Sequence, residues 1–252
     1  MESCFAFAFP VDKRILCRAE GMPVMTTTFL ETGIYMIPEA ARLTGVTSWR
    51  IRRWLRGYDF RVKHGRRHSH AVWPGQLAQI EHNTALGFLD LLEVHCVDAF
   101  ISAGVSWKTL RQTHSQAQGL VGHSHPFCTH RFVTDGRAIF LELRERNEEV
   151  MLWDMRDVQR VFERIIRPFL KNVDFDSDRV PRRWWPRGKS HLVVLDPRRN
   201  FGQPTISRDG VPTQVLARSV KANGSVEEVV RWFEISTASV YEAIEYERAL
   251  AA

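Results

Sequence analysis

The sequence lacks any apolar run long enough to cross a membrane. A spanning helix needs about 20 consecutive apolar residues, and every apolar stretch in this chain is interrupted well short of that length. The amino terminus also lacks the pattern of an export signal, because Glu2 stands where such a signal carries a basic residue. These absences predict a cytoplasmic protein without a membrane partner.

Cysteine is scarce as well. The chain contains four cysteines, none of them in a Cys-x-x-Cys pair. Oxidised scaffolds use cysteine more densely, so a reducing compartment is predicted. The phosphate-binding loop, the dinucleotide-binding fingerprint and the Gly-x-Ser-x-Gly nucleophile motif are also missing. We therefore expect no catalytic residues, no cofactor and no enzymatic activity.

Two short segments contain possible metal ligands, and both depart from the patterns of known sites. The loop from His123 to His130 carries three histidines and one cysteine, but their spacing matches no familiar zinc module. The segment Asp174–Asp178 begins like a calcium-binding loop and continues with Arg179, where that loop needs glycine. Neither segment is expected to bind a metal ion.

What the chain does have is an excess of basic residues, with a formal net charge of +6. Its hydrophobic content of 44% is ordinary for a folded protein, so the charge does not indicate a disordered chain. A basic balance suits a polyanionic partner without requiring one. The distribution of the charge along the chain therefore carries more information than the total.

Helical and strand periodicities predict an α+β fold that is mostly helical. Residues 1–30 show no clean period and are expected to form a flexible extension. The further predicted units are a winged helix-turn-helix domain at 31–75, a helical region with a small antiparallel β-meander at 76–172, a basic aromatic linker at 173–190, and a C-terminal domain of three helices, resembling a helix-turn-helix, at 191–252. The meander rests on Asp135-Gly136, a pair typical of tight hairpin turns.

The unit at 31–75 carries the pattern of two short helices joined by a tight turn. Pro38 suits the first turn of a helix over residues 36–44, and Gly45 ends that helix. Thr47 is a good cap for a second helix that runs to about Arg56. In DNA-binding proteins such a second helix enters the major groove, so double-stranded operator DNA is the predicted partner.

The second helix is expected to present a basic face to that DNA. If Ile51 and Leu55 point into the core, the other faces carry the candidate contacts. These are Ser48, Trp49, Arg50 and Arg53 at or near base edges, and Arg52 and Arg56 at phosphates. Arginine suits both tasks because it donates paired hydrogen bonds to guanine or to phosphate.

A basic wing of two strands is predicted to follow, with its tip near His64-Gly65-Arg66. Its cations are Arg61, Lys63, Arg66 and Arg67, and Asp59 is the acid among them. Such a loop would grip the phosphate backbone or enter a minor groove. The alternative is a solvated basic surface that has no nucleic-acid role.

The residues from Tyr35 to Trp54 resemble the opening of MerR-like winged helix-turn-helix domains. The stretch from Phe88 to Arg111 looks like the helical pair that follows in those proteins. The resemblance implies a DNA-binding regulator. This chain has no counterpart of the effector-binding cysteines found in the metal-sensing members of that family.

The C-terminal unit is predicted to bind protein. Its last helix is acidic, with Glu242, Glu245 and Glu247 opposed only by Arg248, and acidic residues repel phosphates. Dimerisation or partner binding is therefore favoured over a structural cap or a second DNA reader. The stretch from Val194 to Tyr246 resembles a small domain found in antitoxins. Joined to the N-terminal reader, it resembles VapB-type antitoxins, which implies a PIN-like ribonuclease toxin as partner.

The linker is rich in arginine and tryptophan, and two interpretations of it stay open. Its candidate toxin contacts are Arg182, Arg183, Trp184, Trp185 and Arg187. An inserted arginine would stand in for the metal ion that the carboxylates of a PIN-like ribonuclease hold. In the alternative, the tryptophans pack against the protein's own domains.

These observations together predict a dimeric antitoxin that represses its own promoter and neutralises a PIN-like ribonuclease. Two-fold assembly would double the phosphate contacts and fix the half-site spacing. One alternative is a MerR-like regulator that responds to a small ligand and has no toxin partner. Another is a nucleic-acid enzyme, which metal-dependent cleavage by the pure protein would reveal.

Overall fold

The computed structural model describes four stretches of the chain, 31–63, 65–77, 83–132 and 160–251. They form helices and four antiparallel sheets of two strands each. This combination confirms the predicted α+β class. The predicted N-terminal extension and the predicted β-meander around Asp135-Gly136 lie outside the described residues.

The first half of the described chain supplies the predicted DNA reader and the helices behind it. Its elements are β1 (Tyr35–Met36), α1 (Ile37–Thr44), α2 (Ser48–Arg56), β2 (Tyr58–Val62), β3 (Gly65–Ser69), β4 (Ala85–Leu86), α3 (Phe88–Ser102) and α4 (Trp107–Val121). β1 pairs with β4, so the strand that leads into α1 is tied to the strand that leads into α3.

α1 and α2 begin and end close to the predicted residues. Gly45 ends α1 with a φ of +74°, a left-handed conformation that glycine adopts without strain. Val46 is buried between the helices. Thr47 occupies the N-cap position of α2, but its side chain makes no capping hydrogen bond, so the predicted capping role of Thr47 is wrong.

A hairpin of β2 and β3 follows α2 directly. Gly57 makes this possible, because its φ is +74° and a Cβ there would overlap the backbone of Ser69. The last pair of the ladder is Val62 with Gly65. His64, in the predicted tip, lies outside the described residues.

α3 forms the wall behind α2 and buries two carboxylates. Asp90 accepts a hydrogen bond from the indole of Trp73 (2.8 Å) and contacts Nε2 of His125 (2.7 Å). Glu93 contacts Nε2 of His114 at 2.9 Å. A buried carboxylate requires such partners, since an unpaired one is costly. The histidines and acids at this point therefore serve the protein's own packing.

The second half begins with a π-helical turn (Phe162–Ile166) that leads into α5 (Arg167–Lys171). The segment predicted as an irregular linker then forms two paired strands, β5 (Val173–Phe175) and β6 (Pro181–Trp184). Sequence reasoning missed these strands because neither alternates polar and apolar residues over a useful length.

The C-terminal elements agree with the predicted ones. They are β7 (Val193–Val194), β8 (Thr205–Ile206), α6 (Thr213–Asn223), α7 (Val226–Phe233) and α8 (Thr237–Ala251). Ser225 accepts a hydrogen bond from the backbone N–H of Glu228 (3.2 Å), and Ser236 accepts one from that of Ser239 (3.1 Å). Ser225 and Ser236 therefore cap the helices that follow them.

Two hydrophobic cores underlie this arrangement. The first includes residues from Tyr35 to Leu195, so the α1–α2 pair shares its core with α3, α4, α5 and β6. The second lies among β7, β8 and the last three helices, around Leu216, Val229 and Val240. Among the residues that the structure describes, no helix combines the length and the apolar character needed to span a membrane.

Candidate nucleic-acid and partner interfaces

The outer face of α2 is basic and aromatic, as the sequence predicts. Ile51, Trp54 and Leu55 are buried and fix the orientation of the helix. The side chains of Arg52 and Arg56 are exposed. Trp49 is also exposed, with 60% of its surface accessible. The orientation thus places these three side chains where an approaching ligand would meet them.

Arg50 does not lie on the open face. Its Nη1 forms an ion pair with Oδ1 of Asp98 on α3 at 2.7 Å, and both side chains are partly buried. The guanidinium also lies 5.8 Å from the centre of the Trp54 ring. To reach a base edge, Arg50 would have to leave Asp98. The contact of Arg50 with DNA stays a prediction, and in such a contact DNA would compete with Asp98 for the guanidinium.

Arg53 lies between two aromatic rings. Its guanidinium carbon is 3.2 Å from the centre of the Tyr58 ring and 4.3 Å from that of the Trp49 ring. Such contacts attract the cation to the negative face of each ring. They leave the N–H groups at the edge of the guanidinium available to an acceptor. Ser48, the first residue of α2, is half-buried.

The β2–β3 hairpin concentrates positive charge. Arg61 pairs directly with Arg66 across the two strands, and Arg67 pairs with Phe60. Like charges that lie directly opposite one another destabilise a sheet. His68 contacts Oδ1 of Asp59 at 2.8 Å, near the other end of the hairpin. An anion bound between Arg61 and Arg66 would reduce the repulsion between them. The side chains of Lys63, Arg61, Arg66 and Arg67 are all exposed.

The tryptophans of the predicted linker pack within the protein. Trp184 is buried, and its ring centre lies 5.6 Å from that of Phe169 in α5. Trp185 donates a hydrogen bond from Nε1 to Oδ2 of Asp174 on β5, at 2.8 Å. These contacts agree with the second interpretation of the linker, in which the tryptophans serve the fold.

Two of the linker arginines have carboxylate partners in the same chain. Nε of Arg183 lies 2.8 Å from Oδ2 of Asp196. Nη1 of Arg187 lies 3.2 Å from Oε1 of Glu242 in α8. His191 contacts the same oxygen of Glu242 at 2.9 Å. Arg187 and His191 therefore partly neutralise the acidic face of α8.

Arg182 differs from its neighbours. It lines an open polar cleft of about 730 Å³ together with Arg179 and Lys189. Its Nε is buried and has no hydrogen-bond partner among the described residues. Lys189 is paired with Oδ1 of Asp174 at 2.6 Å. Of the five predicted toxin contacts, Arg182 and Arg183 line this cleft, and of these two Arg183 is paired with Asp196.

The loop with histidine and cysteine is occupied by internal contacts. The backbone N–H of Cys128 donates to Oε2 of Glu93 at 3.0 Å. Burial raises the pKa of the Cys128 thiol well above its ordinary value, which disfavours the thiolate that metals bind. Within the described stretches, no group of three or more histidine, cysteine, aspartate or glutamate side chains is arranged to hold a metal ion.

Sequence reasoning missed the surroundings of α2. It did not identify Asp98 as the partner of Arg50, or Trp107, whose ring lies 6.0 Å from that of Trp54 in a stacked arrangement. Both residues lie about 50 positions further along the chain. No local periodicity could relate them to α2.

Comparison with known proteins gives one match to a family and one to a curated protein. Residues 193–246, which include β7, β8 and most of the last three helices, match the profile of a family described as "Protein of unknown function (DUF433)". A Mycobacterium tuberculosis protein named "Putative antitoxin VapB45" is 26% identical over an alignment of 227 residues, which covers 84% of this chain and 92% of that protein.

A solved structure shares the fold. The X-ray crystal structure of Rv2018 from Mycobacterium tuberculosis aligns with a TM-score of 0.63 at 20% identity. The alignment covers 85% of this chain and 99% of that one. The two proteins therefore share an architecture that extends over nearly the whole of Rv2018, from the N-terminal helices to the C-terminal unit.

Proposed function

We propose that this protein is the DNA-binding antitoxin of a type II toxin–antitoxin pair. In this proposal the α1–α2 pair and the β2–β3 hairpin form a MerR-like winged helix-turn-helix that binds operator DNA. The protein acts as a homodimer on an inverted repeat and represses its own promoter. Its second half binds and silences a PIN-like ribonuclease. The role is one of binding, without catalysis.

The observation that carries the proposal is the extent of the similarity to the protein named as an antitoxin. That similarity spans 92% of the relative, so it includes both the N-terminal reader and the C-terminal unit. Resemblance in one small domain would be compatible with many functions. A match along both chains supports a role that needs all of their units.

The charges of the N-terminal surface support the DNA-binding part. Arg52 and Arg56 are exposed on α2, and the arginines of the hairpin project from the adjacent strands. The repulsion between Arg61 and Arg66 favours a phosphate between them. In this arrangement α2 would contact base edges, and the β2–β3 hairpin would contact the DNA backbone.

The cleft beside Arg182 supports the partner-binding part. Arg179, Arg182, Arg183 and Lys189 line this cleft together with two acids, Asp174 and Asp176, so its net charge is positive. Arg183 and Arg187 are paired with Asp196 and Glu242. We therefore assign the toxin contact to Arg182 and a structural role to the other two arginines.

The DNA-binding part is tested by retardation of a fragment that carries the protein's own promoter. We expect a defined complex that competitor DNA of unrelated sequence does not displace. Arg53→Ala should reduce the preference for the promoter over the competitor. Equal affinity for both fragments in the unaltered protein would contradict the operator assignment.

The partner-binding part is tested by co-expression with the product of the adjacent gene. We expect the two proteins to co-purify and the ribonuclease to be inactive in the complex. Arg182→Glu should weaken the complex, whereas Arg208→Glu, in an exposed turn of the C-terminal unit, should leave it intact. A complex that withstands Arg182→Glu would assign the contact to another surface.

A further inference from the structure

A small, partly open cavity lies beside α2. It has a volume of about 230 Å³ and is lined by residues of α2, β2, α3 and α4, among them the exposed Trp49. The indoles of Trp49, Trp54 and Trp107 and the phenol of Tyr58 form most of its walls. Ile101 and Val105, which are contributed by α3 and by the turn after it, also line the cavity.

Two arginines bring charge into this aromatic cavity. Arg50 is neutralised by Asp98. Arg53 is stacked on Tyr58 and Trp49, and among the described residues no carboxylate lies within ion-pair distance of it. A guanidinium stacked by its faces presents its N–H groups in its own plane. That plane is where a carboxylate forms two parallel hydrogen bonds.

One wall of the cavity is held by packing alone. The ring of Trp107 is stacked on Trp54, and its Nε1 finds no hydrogen-bond acceptor among the described residues. A buried indole N–H normally has a partner. Because no hydrogen bond fixes this ring, the wall can adjust to the thickness of a ligand.

We propose that this cavity binds a small planar aromatic carboxylate. The aromatic walls select a flat π-system, and the edge of Arg53 selects an anion. The volume lies below the range of about 300–1,000 Å³ typical of drug-sized ligands. The ligand should therefore contain one or two fused rings.

Such a ligand would compete with DNA, which extends the proposed function to regulation. Arg53 cannot donate the same hydrogen bonds to a carboxylate and to a base edge. Two ligands that use one group in this way oppose each other's binding. This consequence rests on the proposed DNA binding, whereas binding of the ligand itself does not.

Calorimetric titration of the full chain with indole-3-carboxylate tests the proposal without DNA. Cyclohexanecarboxylate has the charge without the aromatic ring, and indole has the ring without the charge. We expect one molecule of indole-3-carboxylate to bind per chain, at least about tenfold more tightly than either control compound. Equal binding of the three compounds, or no binding of indole-3-carboxylate at millimolar concentration, would overturn the proposal.

Variants locate the binding site. Trp49→Ala removes an exposed wall without opening the core, and Arg53→Gln removes the cation. Each substitution should lower the affinity for indole-3-carboxylate by about tenfold. Trp232→Ala is the matched control, because Trp232 on α7 is equally exposed at 62% and does not line this cavity. Affinity that survives both cavity variants, or that falls in the control, would exclude this site.

A promoter-retardation assay with saturating indole-3-carboxylate then tests the regulatory consequence. We expect weaker DNA binding in the unaltered protein. If the ligand binds in the calorimeter but does not change DNA binding, the ligand site is supported and the proposed competition with DNA is contradicted. Absence of DNA binding under all conditions would contradict the proposed function and leave the calorimetric result standing.

Discussion

The hydroxyl of Tyr35 donates a buried 2.8 Å hydrogen bond to the backbone carbonyl of Gly202, 167 residues further along the chain. Burial raises the pKa of the Tyr35 phenol well above its ordinary value, so the group remains a protonated donor. Gly202 has a φ of +83°, and a Cβ there would overlap the Tyr35 hydroxyl. The strand that leads into α1 is thus joined to the loop before the last three helices.

Substitutions at this contact should destabilise the whole chain. Tyr35→Phe removes one buried hydrogen bond and should lower the free energy of unfolding by about 1–2 kcal/mol. Gly202→Ala adds a left-handed strain of about 1–2 kcal/mol to the steric overlap and should cost more. Urea denaturation measures both losses.

Gly210→Ala is the control for the overlap at Gly202. Gly210 has a φ of +72°, but nothing lies within 4 Å of the position its Cβ would take. The free energy of unfolding of this variant should therefore fall only by the cost of the left-handed conformation. Equal losses for Gly202→Ala and Gly210→Ala would mean that the close approach of Tyr35 contributes nothing.

The local features of the fold could be predicted from the sequence. Pro38, Gly45 and the spacing of Ile51 and Leu55 define α1 and α2, because each signal acts within one or two helical turns. Ser225 caps its helix for the same reason. These signals need no knowledge of distant residues.

The partners of the charged residues could not be predicted. Arg50 pairs with Asp98 across 48 positions, and Arg187 pairs with Glu242 across 55. An isolated sequence presents these arginines as free cations, and for that reason Arg50 is a candidate for contact with DNA and Arg187 a candidate for contact with a toxin. Only the packing of α2 on α3, and of the linker on α8, brings the acids within reach.

Asp98→Asn tests whether Arg50 contributes to DNA binding. The substitution keeps the shape of the side chain, removes a negative charge near α2 and weakens the contact that holds Arg50. We expect affinity for the promoter to rise about fivefold, since about 1 kcal/mol of competing interaction is removed. The affinity should also depend more steeply on salt concentration, with the slope increased by about one.

Asp209→Asn provides the control for net charge. It lies in an exposed turn of the C-terminal unit and changes the charge of the chain by the same amount. Its effect on promoter affinity should be small. If Asp98→Asn and Asp209→Asn act equally, Arg50 has no role in binding and Asp98 acts only through long-range charge.

Arg66→Gln should change stability and DNA binding in opposite directions. It removes the cross-strand repulsion with Arg61 and should stabilise the free protein by a few tenths of a kcal/mol. It also removes a phosphate contact, so promoter binding should weaken and its salt slope should fall by about one. Denaturation and retardation at several salt concentrations measure the two effects.

Arg208→Gln, in the exposed turn, is the matched charge control for Arg66→Gln. It should change neither the stability of the protein nor its affinity for the promoter appreciably. Weakened DNA binding together with lower stability in Arg66→Gln would point to a structural role for Arg66. Unchanged binding would remove the hairpin from the interface.

His95 makes the stability of the first core depend on pH. Its ring lies 4.0 Å from that of Phe169 in a stacked arrangement. Burial lowers the pKa of His95 below its ordinary value of 6.5, although Asp98 and the Thr44 carbonyl act in the opposite direction. As the pH falls below about 6.5, the unfolded chain takes up the proton first. Stability is therefore lost until the pH reaches the lowered pKa of the folded state, below which the loss no longer grows.

His95→Gln removes this proton and retains a hydrogen-bonding side chain of similar length. The variant should be less stable than the unaltered protein at pH 8, because it lacks the stacking on Phe169. Its further loss of stability between pH 6.5 and pH 5 should be smaller, since the unfolded chain no longer gains a proton at this position. Urea denaturation at the two pH values measures the difference. Parallel losses in the two proteins would mean that other groups cause the acid sensitivity, because a neutral buried His95 must contribute to it with this sign.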